Sequence, residues 1–253
     1  MMDTTVDPAR LALRCYLLEA KYEFLRLLRT PAFALPALAF PVLFYLLFGV
    51  MLGGPRGGMA STYLLVTYGV FGIMGPALFG FGVAMAMDRE LGLLRLKRAM
   101  PVPPGATLLS KTLMAMLFGA IITALLMGVA LLLGGVELAP GQLATLALVN
   151  VLGVPPFCAM GLWIGTLAGG QGAAAVVNLV YLPMAFLSGL WMPLSMLPEV
   201  VARLAPMWPA YHLGQIALKA IDADAGAPLS IHLGALLGFT AVFGFLAHRR
   251  LSN

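Results

Sequence analysis

The chain has 253 residues, of which 61% are hydrophobic and only 10% are charged, with a formal net charge of +5. Soluble domains carry roughly 25% charged residues, because a water-facing surface needs them. This composition excludes a soluble globular enzyme. It predicts an all-α membrane protein in which apolar helices of about 20 residues, joined by short links, use almost the whole chain.

Residues 1–30 are predicted to form a cytoplasmic N-terminus and an interfacial helix. Apolar residues recur at spacings of three and four and form one narrow stripe: Leu13, Leu17, Ala20, Phe24 and Leu27. Charged residues flank that stripe, among them Arg14, Glu19, Glu23 and Arg26. The pattern indicates a helix lying along the inner membrane surface. Packing on a cytosolic partner protein is the alternative, and different faces of the helix could serve both.

Residues 31–253 are predicted to form a single six-helix transmembrane domain. The predicted spans are about 31–52, 64–87, 112–133, 143–167, 173–192 and 231–247. We expect the first span to act as an uncleaved signal anchor, because a long charged stretch precedes it. Prolines predict kinks at Pro36, Pro41, Pro76, Pro155, Pro156 and Pro183.

The basic residues predict the orientation. Five precede span one, five lie between spans two and three, and two follow span six, which together make twelve of the 15. The positive-inside rule predicts that both termini lie in the cytoplasm. The charge is therefore topological and does not indicate a nucleic-acid partner.

Two long loops depart from a simple pattern of spans. The inner loop, 88–111, reads DRELGLLRLKRAMPVPPGATLLSK and predicts a short helix from Leu91 to Leu96 that the prolines then end. The outer segment, 193–228, is too polar for a span and is predicted to be re-entrant. A short amphipathic helix is predicted there from Leu197, Val200, Val201, Leu204 and Met207.

Several chemistries have no sequence support. No Asp, Glu, Lys or Arg lies between the predicted span limits, which disfavours a proton relay, although sodium held by backbone oxygens would escape this test. There is no metal motif and no Walker P-loop, so we expect the chain itself to bind no cofactor and to hydrolyse no ATP. Cys15 and Cys158 are not expected to pair.

Polar and aromatic residues inside the spans are candidates for a substrate path. They are Thr67, Asn150, Asn178, Tyr181, Phe186 and Ser188. In lipid, such groups also hold helices together, and this alternative stays open for each of them. For Ser188, packing is the preferred interpretation.

Two motifs carry a family resemblance. Residues 89–94, RELGLL, include Arg89, Glu90, Gly92 and Leu93 and are followed by Pro101 and Lys111; they match an inner loop of the form R-E-x-G-x-L that ends in a Pro and a Lys. Residues 187–213, LSGLWMPLSMLPEVVARLAPMWPAYHL, match an S-G-x-x-x-P segment through Ser188, Gly189 and Pro193. With the interfacial helix and the six spans, this order resembles the ABC-2 type exporter permeases over almost the entire chain.

The resemblance implies a half-transporter in a bacterial inner membrane. A second copy of the chain or a related permease would complete it, and two cytosolic P-loop ATPase subunits would carry ATP and Mg. The implied ATPase-coupling residues are Arg89, Glu90, Gly92, Leu93, Leu94, Arg95, Pro101 and Lys111. A local ion pair is the alternative for Arg89 and Glu90.

The leading interpretation is export of an amphiphilic drug, antibiotic or lipid by alternating access between two copies of spans one, two and five. A permease for polysaccharide or lipid-linked glycan is the first alternative, but the sequence offers few aligned aromatic residues for it. An ATP-independent carrier or a membrane assembly protein is the alternative from another class.

Overall fold

The structure, a computed structural model, describes residues 8–52, 58–93, 96, 99 and 105–252. Every regular element in these ranges is helical, which confirms the all-α prediction. The α-helices are α1 (Pro8–Leu28), α2 (Pro31–Phe44), α3 (Met59–Glu90), α4 (Ala106–Leu132), α5 (Pro140–Leu152), α6 (Pro155–Leu167), α7 (Gly170–Leu187), α8 (Glu199–Leu204), α9 (Pro209–Leu218) and α10 (Leu229–Ser252).

In the described part of the chain, six helical stretches are long and apolar enough to cross a membrane, which confirms the predicted number. They are Pro31–Met51, Met59–Glu90, Ala106–Leu132, Pro140–Leu167, Gly170–Leu187 and Leu229–Leu251, called spans one to six. Span five ends at Leu187 and not at the predicted Met192. Gly189 is the reason, because it takes a left-handed φ of +76°, where a Cβ would also lie 2.7 Å from Leu194.

The prolines differ in their effect on helix continuity. In span one, α2 passes into a π-helix, Tyr45–Met51, whose Gly49 carbonyl accepts a hydrogen bond from Ser61 at 2.5 Å. Span four breaks between α5 and α6, just before Pro155. The kinks predicted at Pro76 and Pro183 do not interrupt α3 or α7, which run through both prolines.

Span two is the centre of the bundle, and it packs against α4, α6 and α7. Glycines allow the closest of these approaches. A Cβ on Gly82 would lie 2.9 Å from the Gly161 carbonyl, and one on Gly165 would lie 2.5 Å from the Gly82 carbonyl. Spans two and four therefore touch backbone to backbone.

The outer segment differs from the amphipathic helix that the sequence predicts. The short helix α8 falls within the predicted stretch, but Val200, Leu204 and Met207 are exposed. The buried helix of this segment is α9, which packs against α3, α5 and α10. Burial here depends on small residues such as Ala210 and Ala217, which give a weak pattern in the sequence.

Candidate functional site

Four charged side chains from three helices meet at the end of the bundle where α3 ends and α4 begins, here called the inner end. Glu23 and Arg26 come from α1, Asp88 from α3 and Lys111 from α4. Lys111 Nζ contacts Glu23 Oε1 and lies 3.2 Å from Asp88 Oδ2. Arg26 Nη1 donates to Asp88 Oδ1 at 3.0 Å, and Arg26 Nη2 lies 3.4 Å from Glu23 Oε1. Two positive and two negative charges balance, and we call this group the inner charge cluster.

Burial sets the electrostatics of the inner charge cluster. Lys111 is 0% exposed and Asp88 is 2% exposed, so each carboxylate and the ammonium need their partners to offset lost hydration. Arg26 stands at the rim. Burial favours its neutral form, but Glu23 and Asp88 outweigh this effect and raise the pKa of Arg26 above its ordinary value.

The inner charge cluster corrects one sequence interpretation and adds a residue. The predicted span limits at Met87 and Thr112 each stop one residue short of a buried charge, because α3 runs to Glu90 and α4 begins at Ala106. Charge is therefore present inside the spanning helices. Asp88 was not among the predicted site residues. Its position directly after an apolar run was the available signal.

The predicted stripe of α1 is only half buried. Ala20 and Leu27 are buried and Phe24 packs on Phe118, but Leu13 and Leu17 are 60% and 57% exposed. The buried side contains Ala20, Glu23 and Leu27, at spacings of three and four, and faces α4. Glu19 also faces α4, where it accepts a hydrogen bond from Thr107 at 3.1 Å.

Arg89 and Glu90 sit at the turn between spans four and five. The Arg89 guanidinium donates to the carbonyls of Thr166 and Ala168, each at 3.0 Å, at the C-terminus of α6. The Glu90 carboxylate lies at the N-terminus of α7, since a Cβ on Gly169 would be 1.9 Å from its Oε1. Each charge faces the helix end of opposite partial charge. We call this arrangement the inner latch, and it joins the end of span two to span five.

Two further predicted coupling residues, Gly92 and Leu93, follow the inner latch in the chain. Gly92 has a φ of +70° and follows the end of α3, while Leu93 is half-buried. Leu94, Arg95 and Pro101 lie outside the described residues, so the helix predicted from Leu91 to Leu96 is described only in part. Arg14 is exposed on α1.

A groove of about 350 Å³ runs between spans one, two and five. Beside small and aliphatic residues, its lining contains six aromatic side chains and one amide: Phe33, Phe40, Phe44, Phe71, Phe79, Tyr181 and Asn178. Phe71 and Tyr181 stack with ring centroids 5.0 Å apart, and Phe79 meets Tyr181 edge-on at 5.8 Å. We call this the aromatic groove.

Further hollows extend the aromatic groove at both ends. At the inner end it shares Phe33 and Phe79 with a hollow of about 460 Å³ that reaches Arg26 and Asp88. At the other end, called the outer end, it shares Phe44 with a hollow of about 330 Å³ that reaches Trp191. An apolar path with a charged inner rim therefore follows one face of the bundle.

The structure separates the predicted path residues. Asn178 and Tyr181 line the aromatic groove, and Phe186 contacts Trp191 near its outer end. Asn150 does not line it, because its Nδ2 donates to Thr123 at 3.1 Å in the contact of spans three and four. Thr67 is buried and donates to the Tyr63 carbonyl of its own helix. For both of these residues, the helix-packing alternative fits the geometry.

Ser188 belongs to the turn after span five. It is 5% exposed and precedes Gly189, whose carbonyl accepts a hydrogen bond from Tyr63 at 2.8 Å. The S-G-x-x-x-P segment therefore closes span five against span two.

A pair of buried histidines joins the outer segment to span six. His212 Nε2 lies 2.9 Å from the Pro206 carbonyl, which only accepts, so this nitrogen carries the proton. His212 Nδ1 is then the acceptor in the 3.0 Å contact with His232 Nδ1 when the pair is neutral. Burial lowers the pKa of His212, against the opposing effect of its bond to Pro206. The two histidines are 20 positions apart and form no motif, so the sequence alone does not indicate this pair.

These features define a class: a multi-pass membrane protein with an apolar groove along the bundle and a charged network at one end. The ABC-2 type transporter family model matches residues 16–221. The chain therefore belongs to the ABC-2 type transporter family, whose members are the transmembrane components of ATP-binding-cassette transporters and work with an ATPase.

The chain is also similar to a curated protein. The chain is 27% identical over 231 residues to a protein of Bacillus subtilis (strain 168) described as "Putative transport permease YvfS". The match covers 89% of this chain and 92% of the relative, so the similarity extends beyond single motifs.

Proposed function

We propose that the chain is the permease subunit of an ATP-driven exporter, and that it moves an amphiphilic substrate outward along the aromatic groove. The observation that carries the proposal is the groove itself, which exposes the Asn178 amide among aromatic rings. An amide facing lipid leaves its hydrogen bonds unmade, at a cost of roughly 1–3 kcal/mol by mutational measures. A second copy of the chain facing this groove would enclose the amide together with the substrate.

The substrate class follows from the lining of the groove. Six aromatic rings supply large apolar surfaces, and the Tyr181 hydroxyl already donates to the Phe71 carbonyl at 3.3 Å. Few hydrogen-bonding groups therefore remain for a polar ligand. An apolar body with a polar or charged head fits this path, with the head at the inner rim beside Arg26 and Asp88.

The aromatic row also favours a second candidate, the export of a lipid-linked glycan. Sugar rings stack on aromatic faces, and Phe44, Phe71 and Tyr181 are brought together by the fold although they are far apart in the sequence. A glycan also needs many hydrogen-bond partners. The shortage of polar lining groups is why we propose the amphiphile first.

We propose that two cytosolic P-loop ATPase subunits, which would hold ATP and Mg, drive transport. The inner latch and the inner charge cluster support this step, because together they join α1, span two, span three and span five at the inner end. A displacement of the loop after span two would then move spans two and five, which line the aromatic groove. We propose that both termini face the cytoplasm of a bacterial cell, as the positive-inside rule predicts.

Co-purification tests the proposed drive. We expect the tagged chain, extracted from its native membrane, to bring with it a P-loop ATPase whose hydrolysis rises when an amphiphile is added. A lipid-linked glycan that stimulates hydrolysis when amphiphiles do not would select the second candidate. Transport by the purified chain without any ATPase would contradict both candidates and select an ATP-independent carrier.

A further inference from the structure

Among the described side chains of α1, the face that is turned away from the protein carries cations and no carboxylates. Arg14, Lys21 and Arg29, the last just after the helix, are all exposed. Both carboxylates of α1 face the other way, toward α4, where Glu19 accepts from Thr107 and Glu23 contacts Lys111. The charges of α1 are therefore sorted by face, with the acids inside and these three bases outside.

The same outward face is also apolar. Leu17, Leu18, Tyr22 and Leu28 are 57%, 40%, 65% and 38% exposed. Large aliphatic groups beside long basic side chains are typical of a helix in the lipid interface, where the stems lie on acyl chains and the charged heads reach the headgroups. In water alone, the aliphatic side chains of this face would remain unburied.

The position of α1 places its outward face at the depth of the membrane interface. The helix joins span one directly through Thr30 and Pro31, and its buried side rests on the first turns of α4 beside Thr107 and Lys111. The outward face therefore lies at the depth where spans one and three leave the inner end of the bundle.

We infer that this face of α1 binds acidic phospholipid headgroups of the inner leaflet and distinguishes them from zwitterionic ones. The sorting of charge carries the inference, because a helix that only needed the interface could expose its carboxylates as well. A negative membrane surface attracts juxtamembrane basic residues, and the attraction falls off within a Debye length. The inference rests on the membrane topology of the proposed function, but it needs neither transport nor the ATPase.

The native cysteines provide the probe. Cys15 lies on α1 and is partly exposed, whereas Cys158 is 3% exposed, so an environment-sensitive fluorophore added to the folded chain labels Cys15. The labelled full chain is placed in nanodiscs of phosphatidylcholine alone or of phosphatidylcholine mixed with phosphatidylglycerol. We expect blue-shifted emission in the mixed discs, and we expect high salt to reverse the shift.

Variants that replace the basic side chains test whether these side chains cause the difference between the two lipids. The triple variant Arg14→Gln, Lys21→Gln, Arg29→Gln should lose the difference between the two lipids. Arg249→Gln, Arg250→Gln is the matched control, because it removes basic residues from the end of α10, and it should keep the difference. Equal melting temperatures in phosphatidylcholine discs exclude a folding defect.

The opposite results overturn the inference. Emission of the wild-type chain that is the same in both lipids contradicts it, as does a triple variant that responds like the wild type. A blue shift that requires added ATPase subunits, whatever the lipid, would assign this face to the ATPase instead. None of these results depends on substrate or transport, so the proposed function would stand or fall separately.

Discussion

Lys111 is 0% exposed, and its ammonium reaches two buried carboxylates, those of Glu23 and Asp88. Removing the ammonium leaves two negative charges in a desolvated site with only Arg26 to balance them. Breaking a buried ion pair in this way costs about 3–5 kcal/mol, far more than the pair contributes relative to apolar residues.

We therefore expect Lys111→Met to lower the free energy of unfolding in detergent by about 3–5 kcal/mol. Arg203→Met is the matched control, because the Arg203–Glu199 pair is mostly exposed on both sides and such pairs contribute about 0–1 kcal/mol. Chemical denaturation followed by circular dichroism measures both. Equal losses in the two variants would show that the inner charge cluster carries no special energy.

The histidine pair predicts a pH dependence at the outer end. Because burial lowers the pKa of His212 below its ordinary 6.5, the folded state resists a proton that the unfolded state accepts. The contribution of His212 is complete above about pH 6.5 and is lost as the pH falls toward the lowered pKa. We expect the melting temperature to drop between about pH 7 and about pH 5.

Variants assign this drop to the pair. His212→Phe should flatten the profile over this range, whereas His248→Gln, a histidine in the last turns of α10, should keep it. Parallel profiles for His212→Phe and the wild type would refute the assignment.

Single residues also mark the limit of sequence reasoning. Glu23 follows Ala20 by three and precedes Leu27 by four, so helical spacing alone places it on the buried side of α1. Its buried partner Lys111 is 88 positions away in the chain, and spacing within one helix says nothing about it. The tautomers of the His212 pair likewise require the Pro206 carbonyl to be located first.

At the scale of elements, the inner latch connects two helix ends through two neighbouring side chains. If it transmits motion, Glu90→Ala should reduce substrate-stimulated ATP hydrolysis of the assembled complex while leaving assembly intact. Glu199→Ala, an exposed carboxylate of α8, is the matched control and should change neither. Unchanged stimulation in Glu90→Ala would exclude the latch as the point of transmission.

Hydropathy predicted the number of spans because each is an apolar run long enough to cross the bilayer. It did not predict α9, whose burial comes from contacts with α3, α5 and α10 and not from strong amphipathic spacing. It did not predict the aromatic groove either. Phe44, Phe71 and Tyr181 sit in three separate spans, and only the packing of those spans makes one surface of them.

At the scale of the whole molecule, the central claim is that the aromatic groove is the transport path. Gly75 offers a direct way to fill it. It lines the groove, and a Cβ there would meet only the Tyr181 hydroxyl, at 3.7 Å, so a larger side chain at this position starts into the open space of the groove. Gly128 in α4 is the matched control, since a Cβ there meets nothing within 4 Å and the residue does not line the groove.

The decisive measurement is substrate transport into proteoliposomes that contain the assembled complex with either Gly75→Leu or Gly128→Leu. We predict that Gly75→Leu assembles and binds its ATPase but transports at background level, while Gly128→Leu transports like the wild type. Transport by Gly75→Leu at the wild-type rate would contradict the assignment of the aromatic groove as the path.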